Sequence, residues 1–303
     1  MKSYFLVLFL TVFSCSKKAE SISNSEMQPS EIQKNIVYGK ELILNTSKYF
    51  GPNGSISQHS NGMNCTNCHL DAGTRDFGNN YKAVFANYPK FRARSGKIES
   101  LEKRINDCFQ RSLNGEALPK NSPELLAMMV YINSVGQNVP KNTTPKTSGI
   151  TKLKLLTRAA DPEKGSIVYN QQCMQCHGNN GQGVLSPNKT GDYFIYPPLW
   201  GKNSYNTSAG LNRIKNLSGF IYENMPYNLA SHNKPILTQE EAWDVAAYII
   251  SKTRPEKFFK EDWPNLKTKP IDYAFGPFAD SFTEKQHKYG PFQAMDDFRK
   301  KNN

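Results

Sequence analysis

Cys65-Thr66-Asn67-Cys68-His69 and Cys173-Met174-Gln175-Cys176-His177 are the two stretches on which the reading of this chain turns. Each is a Cys-x-x-Cys-His pentad, the spacing at which a c-type haem is attached. The two cysteines form thioethers with the vinyl groups and the adjacent histidine offers a nitrogen to the iron. A zinc or disulfide reading would leave unexplained why a histidine directly follows the second cysteine both times. The chain should therefore carry two covalently bound haem c groups, one on Cys65, Cys68 and His69, the other on Cys173, Cys176 and His177. His69 and His177 are the proximal ligands.

Outward from the pentads, the 303 residues repeat themselves coarsely. Gly39-Lys40-Glu41-Leu42 precedes the first pentad much as Gly165-Ser166-Ile167-Val168-Tyr169 precedes the second. Downstream, Ser122-Pro123-Glu124 opens a helix through Leu125, Met128, Met129 and Tyr131. Thr238-Gln239-Glu240-Glu241 opens another through Trp243, Val245 and Tyr248, and both openings carry helix-start chemistry. Each half thus reads helix, haem motif, loops, helix. This is the plan of an all-α protein built from two class I cytochrome c-like domains, over 35–137 and 158–254, in which first and last helices cross. Gly39 and Gly165 would permit close approach at the crossings. Residues 138–157 read as the linker, opening on a stretch rich in Pro, Asn, Thr and Lys. Beyond Arg254, aromatic residues scattered among prolines and glycines show no helix period, so 255–303 is expected to be an irregular tail that wraps both domains.

The start of the chain reads as an export signal. Met1 and Lys2 precede an apolar stretch from Tyr4 to Phe13, and Val12-Phe13-Ser14-Cys15 is similar to a bacterial lipobox. Residues 1–14 would be removed and Cys15 lipidated, with 15–34 as a flexible tether. The apolar stretch falls short of the roughly 20 residues that span a bilayer, so the only membrane attachment expected is the lipid. That places the protein in the bacterial cell envelope, as a periplasm-facing lipoprotein of the outer membrane. Of six cysteines, four go to haem and one to lipid, which leaves Cys108 without a disulfide partner. The formal charge of +12 loses Lys2 with the signal and about four charges to haem propionates, leaving a moderately cationic protein that favours anionic partners. Its lysines are scattered rather than gathered into a stripe, which argues against nucleic acid.

Each iron has one further side to fill. For the second haem, Met225 in Asn224-Met225-Pro226 is the natural candidate, with Lys215 and His232 competing. The first half has no matching Met-Pro, but offers Cys108. Leu101, Ile105, Phe109 and Leu113 recur at helical spacing and Asn114-Gly115 supplies a stop. On that helix Arg104, Cys108 and Arg111 fall within roughly 60° of one another, so the thiol lies between an apolar stripe and a cationic one. Guanidinium charge favours the thiolate, the form that binds iron or attacks sulfur. His59, Met63, Met128 and Met129 are the other possible ligands.

The run Phe91-Arg92-Ala93-Arg94-Ser95-Gly96, the helix Arg104-Ile105-Asn106-Asp107-Cys108-Phe109-Gln110-Arg111-Ser112-Leu113-Asn114-Gly115, and Pro197-Pro198-Leu199-Trp200-Gly201 together resemble the di-haem thiosulfate dehydrogenase family. So do Asn224-Met225-Pro226, Glu241-Ala242-Trp243-Asp244 and the tail segments Tyr273-Ala274-Phe275-Gly276-Pro277-Phe278 and Tyr289-Gly290-Pro291-Phe292. The chain departs from that pattern at Tyr227-Asn228, where a smaller glycine-bearing turn is expected, and in its lipid anchor. The resemblance implies His69/Cys108 ligation at the first haem and His177/Met225 at the second. It implies a small anionic sulfur substrate, with two thiosulfates coupled to tetrathionate and electrons leaving to an external acceptor, another cytochrome. Arg94, Arg104 and Arg111, with Arg92 and Ser112 behind them, are the candidates to hold the anions. Cys108 would leave the iron in turnover and carry a covalent sulfur adduct. Tetrathionate reduction at the same site, and a non-catalytic electron-transfer cytochrome, are the alternatives.

Overall fold

The computed structural model describes residues 28–186 and 193–302. The leader, Cys15 and the first part of the tether lie outside the described residues. Helix α1 (Pro29–Leu44) starts on a proline at its first position, where the fixed φ suits a helix and the missing N–H costs nothing. Residues 29–34, expected as tether, are therefore helical, because Ile32 and Ile36 continue the apolar face that ends in the buried Leu42 and Ile43. After the first pentad, strands β1 (Lys90–Arg92) and β2 (Lys97–Glu99) pair antiparallel with Phe91 opposite Ile98. The arginine run is thus a hairpin, turned at Gly96 with φ 66°. Helix α2 (Leu101–Arg111) follows directly, its first turn capped by the Ser100 side chain. Helix α3 (Pro123–Val135), capped by Ser122, closes the first domain.

The second domain repeats the order. Helix α4 (Pro162–Gln172) is capped by Asp161 and leads straight into the second pentad. A short hairpin of β3 (Val184–Leu185) and β4 (Phe194–Tyr196) and helix α5 (Ile214–Asn224) come next. Helix α6 (Gln239–Ser251) begins with the Thr238/Glu241 capping box that its sequence announced. The architecture is all-α with two cytochrome c domains, each closed by a crossing of its first and last helices. A methyl group on Gly39 would overlap the Ala127 carbonyl, and one on Gly165 the Asp244 carbonyl. The two glycines therefore let α1 meet α3, and α4 meet α6, backbone to backbone. Leu42, Phe50, Ile105, Phe109, Leu125 and Met128 fill the first core, and Tyr169, Ile214, Ile221, Trp243 and Ile249 the second. Among the described residues no helix is long and apolar enough to cross a membrane.

The tail touches both domains. Ile271, Phe292 and Met295 enter the second core, while the Trp263 N–H donates to the Arg94 carbonyl and Lys257 Nζ to the Gly115 carbonyl. It is less irregular than its sequence suggested. Helix α7 (Glu284–Tyr289), capped by Thr283, and helix α8 (Gln293–Asn302) lie within it. Both are short, and in α8 only Met295 is fully buried, so neither shows an apolar stripe long enough to register as a period.

Candidate active site

His69 follows the short turn Cys65–Asn67, and its Nδ1–H donates to the Asn79 carbonyl at 2.6 Å. His177 does the same to the Pro197 carbonyl at 2.8 Å. Each ring is thereby oriented, with Nε2 as its remaining ligand atom. Burial lowers the basicity of both rings, His69 to about 4, so they are held neutral, the form that ligates iron. Burial also pushes the thiols of Cys65, Cys68 and Cys173 up to about 12. All five described cysteines are free of disulfides. No group of three or more His, Cys, Asp or Glu among the described residues is placed to hold a free metal ion.

The first pentad opens on a mainly apolar cavity, lined by Cys65, Cys68, His69, Tyr81, Arg104 and Cys108 among others. Two half-buried thiols, an oriented neutral histidine and an apolar wall are what a covalently attached porphyrin requires, so the residues fit the group. In the second domain Cys173, Met225, Trp200 and Tyr248 all pack against the core. The Tyr169 ring meets those of Trp200 and Tyr248 at a tilt, with centroids 5.0 and 5.4 Å away.

Cys108 faces the first cavity from α2, one turn beyond Arg104, whose Nη1 donates to its Sγ at 3.0 Å. The Coulombic pull of the neighbouring Cys108 raises the Arg104 guanidinium above its ordinary value. Of the other first-half ligand candidates, His59 packs against Phe50 and Phe109 and bonds Ser57. Met63 lines the cavity but has its sulfur engaged by Asn61 at 3.5 Å, and Met128 is wholly inside the core. In the second half, His232 is stacked on Phe77 with ring centroids 3.8 Å apart and bonded to Glu223 at 2.9 Å.

Beyond Cys108 lies a second, polar cleft. Cys68, His69, Arg104, Cys108 and Ser112 line both spaces, and Arg92, Arg94, Arg111 and Arg213 give the second a mainly cationic wall that also holds one carboxylate, Asp107. The structure thus brings together every arginine the sequence singled out, but in unequal states. Arg111 is buried and forks onto Asp262 of the tail with bonds of 2.7 and 2.8 Å. Arg94 donates to the Ser208 carbonyl at 3.0 Å, and burial lowers its basicity. Arg92 reaches Glu99 at 3.8 Å. Arg104 has no carboxylate within 4.0 Å among the described residues. The sequence reading missed Arg213, which comes from the second domain and is braced by Asp272 at 3.1 Å. Its only local signal was a cation at the N-cap of α5, the end where the helix dipole disfavours one.

The Tyr227-Asn228 turn is explained by the same interface. The Tyr227 hydroxyl donates to Asp71 at 3.0 Å, Arg75 donates to Asn228 at 3.2 Å, and Arg75 lies over the Tyr227 ring at 4.8 Å. Larger residues there tie the Met225 loop to the segment just after His69.

The family description SoxA/TsdA, cytochrome c domain, matches residues 55–140, and the cytochrome c family matches 162–253. The chain is 39% identical over 199 residues to a thiosulfate dehydrogenase of Allochromatium vinosum, covering 64% of this chain and 71% of that protein. It is 32% identical over 232 residues to one of Thiomonas intermedia, covering 77% and 70%. The solved thiosulfate dehydrogenase (TsdBA) of Marichromatium purpuratum superposes with a TM-score of 0.70 at 28% identity, over 85% of this chain and 53% of that one. On the strength of the two pentads, the shared fold and this identity across both domains, the chain belongs to the thiosulfate dehydrogenase family and carries two haem c groups.

Proposed function

We propose that this protein oxidises thiosulfate, joins two molecules into tetrathionate and delivers the two electrons to an external acceptor, another cytochrome. The observation that carries this reading is the position of Cys108, which borders both the haem-attachment cavity and the arginine cleft. Cys65, Cys68 and His69 would hold the first haem, with Cys108 on its open side. Cys173, Cys176 and His177 would hold the second, with Met225. When bound, the haems supply one-electron sinks for the two electrons taken from sulfur.

The chain's own task is to bring anions together. Two dianions 4 Å apart repel by about 4 kcal/mol even in water, four times the unit-charge value. Arg104, Arg94 and Arg213 offset that repulsion, since guanidinium planes match sulfonate oxygens. Cys108 Sγ forms an S–S bond with the outer sulfur of the first thiosulfate, and this oxidation releases two electrons. A second thiosulfate attacks that outer sulfur, the bond to Sγ breaks, tetrathionate departs and the thiolate returns. Arg104, bonded to Sγ, stabilises the thiolate both as it attacks and as it leaves.

Purified holoprotein should reduce ferricyanide with thiosulfate, and its reverse arm is read with tetrathionate and a reduced low-potential dye. Cys108→Gly should abolish both arms while both haems stay attached. Full activity in that variant would reject the mechanism, and no thiosulfate turnover by the native holoprotein would leave an electron carrier. The leader reading adds a lipid anchor on Cys15 and a place on the periplasmic side of the outer membrane. Loss of metabolic lipid labelling in Cys15→Ala tests it.

A further inference from the structure

Asp262 lies in the tail, 151 residues from Arg111, and does not itself line the arginine cleft. It stands behind two of the cations that do. Its carboxylate takes both terminal nitrogens of Arg111, at 2.7 and 2.8 Å, and sits 3.9 Å from Arg94 Nη1. The surroundings hold this arrangement firmly. Phe259 stacks on the Arg111 guanidinium at 3.8 Å, and Trp263, which follows Asp262 in the chain, donates its backbone N–H to the Arg94 carbonyl and lies against the Arg94 guanidinium at 5.4 Å. The other charges facing Arg111 are already engaged, since Asp107 lies 3.7 Å from its Nε and is itself paired with Lys103 at 2.5 Å.

We propose that Asp262 is a positioning residue that sets the charge of the substrate cleft: it neutralises Arg111, fixes Arg94, and so leaves Arg104 as the cation that receives the sulfur anion beside Cys108. The proposal rests on the arginine cleft being the thiosulfate site. Arg213 and Arg92 have carboxylates of their own, Asp272 and Glu99, but without Asp262 the charges of Arg111 and Arg94 would add to that of Arg104, and such a wall would bind a dianion tightly and hold the dianionic product just as well. Catalysis gains nothing from uniform binding of this kind, which lowers KM and retards release. The tail therefore does more than strap two domains together, because it supplies the counter-charge that keeps the cleft from becoming an anion trap. Arg111, which the sequence offered as a substrate ligand, becomes part of the wall.

Binding of sulfate, a redox-inert divalent anion, to the oxidised holoprotein tests this by calorimetry and by competition against thiosulfate. Asp262→Asn removes one negative charge while nearly keeping the shape. It should tighten sulfate binding about tenfold and lower the KM for thiosulfate, with kcat reduced by slower release. Asp262→Glu, which keeps the charge, should stay within about twofold of the native protein. The paired variant Arg111→Met with Asp262→Leu replaces a buried ion pair by apolar residues, a change that cores tolerate. It removes equal and opposite charges, so sulfate affinity should again stay within about twofold, and it serves where the single variant does not fold. Unchanged or weaker sulfate binding in folded Asp262→Asn, or loss of sulfate binding in the paired variant, would overturn the proposal by making Arg111 a direct ligand or Asp262 a purely structural one. Native protein that binds neither sulfate nor thiosulfate would instead reject the substrate-site reading itself.

Discussion

Arg104 Nη1 lies 3.0 Å from Cys108 Sγ, one helical turn apart on the face of α2 that looks into the haem-attachment cavity. A hydrogen bond to a charged acceptor is worth about 1.5–3 kcal/mol. Arg104→Gln should therefore lower kcat/KM for thiosulfate by about 10- to 100-fold. Arg104→Lys should recover only part, because a point charge on a flexible stem does not reproduce the planar fork. Steady-state turnover with ferricyanide at saturating acceptor reads both.

Arg213 reaches the same cleft from the other domain, held by Asp272, which is 1% exposed and also accepts from the Lys215 backbone N–H at 3.2 Å. Because it lines the cleft from the second domain, its removal should weaken anion capture more than chemistry. Arg213→Gln is expected to raise KM for thiosulfate roughly tenfold with kcat changed less than about twofold. Asp272→Ala leaves a partly buried guanidinium unpaired and should cost about 2–3 kcal/mol of stability, discounted for the exposure of Arg213. Denaturant unfolding of the holoprotein measures that loss.

What could be read beforehand follows from range along the chain. The pentads, the helix carrying Cys108 and the caps at Ser122 and Thr238 are local patterns, and all appear where their residues put them. The close approach at Gly39 and at Gly165 was legible because two halves of one chain repeat the same device, while their partners, Ala127 and Asp244, come from the folded structure. The commitment of Arg111 to Asp262 was not, since nothing near Arg111 announces a carboxylate 151 residues away. Arg213 escaped for the same reason, being an ordinary surface cation until the second domain folds back onto the first.

Gly165 is a test of the helix crossing by itself. In an exposed helix, Gly→Ala gains roughly 0.5–1 kcal/mol from lowered backbone entropy. Here the new methyl overlaps the Asp244 carbonyl and crowds Tyr248 Cβ at 2.9 Å, so α4 must lift from α6. Overpacking of this kind costs about 1–3 kcal/mol and should win. Gly165→Ala is expected to lower the unfolding midpoint of the holoprotein, and an unchanged or higher midpoint would show that the crossing is looser than drawn.

Ionic strength separates the cleft from ordinary surface charge. Thiosulfate is a dianion, and the cations that line its route lie between the two domains, where they draw it in from a distance. The Debye length shrinks from about 30 Å at 0.01 M salt to about 8 Å at 0.15 M, which removes steering but leaves close contacts with Arg104 largely intact. With an uncharged acceptor at saturation, kcat/KM should fall several-fold across that range while kcat stays nearly constant. Arg213→Gln should flatten the dependence, because it removes a cation met on entry. Arg104→Gln should leave the slope close to native, because its contribution is made at contact distance and after the anion has arrived. The reverse pattern, with the slope lost on removing Arg104 and kept on removing Arg213, would move the mouth of the site to the α2 side of the cleft.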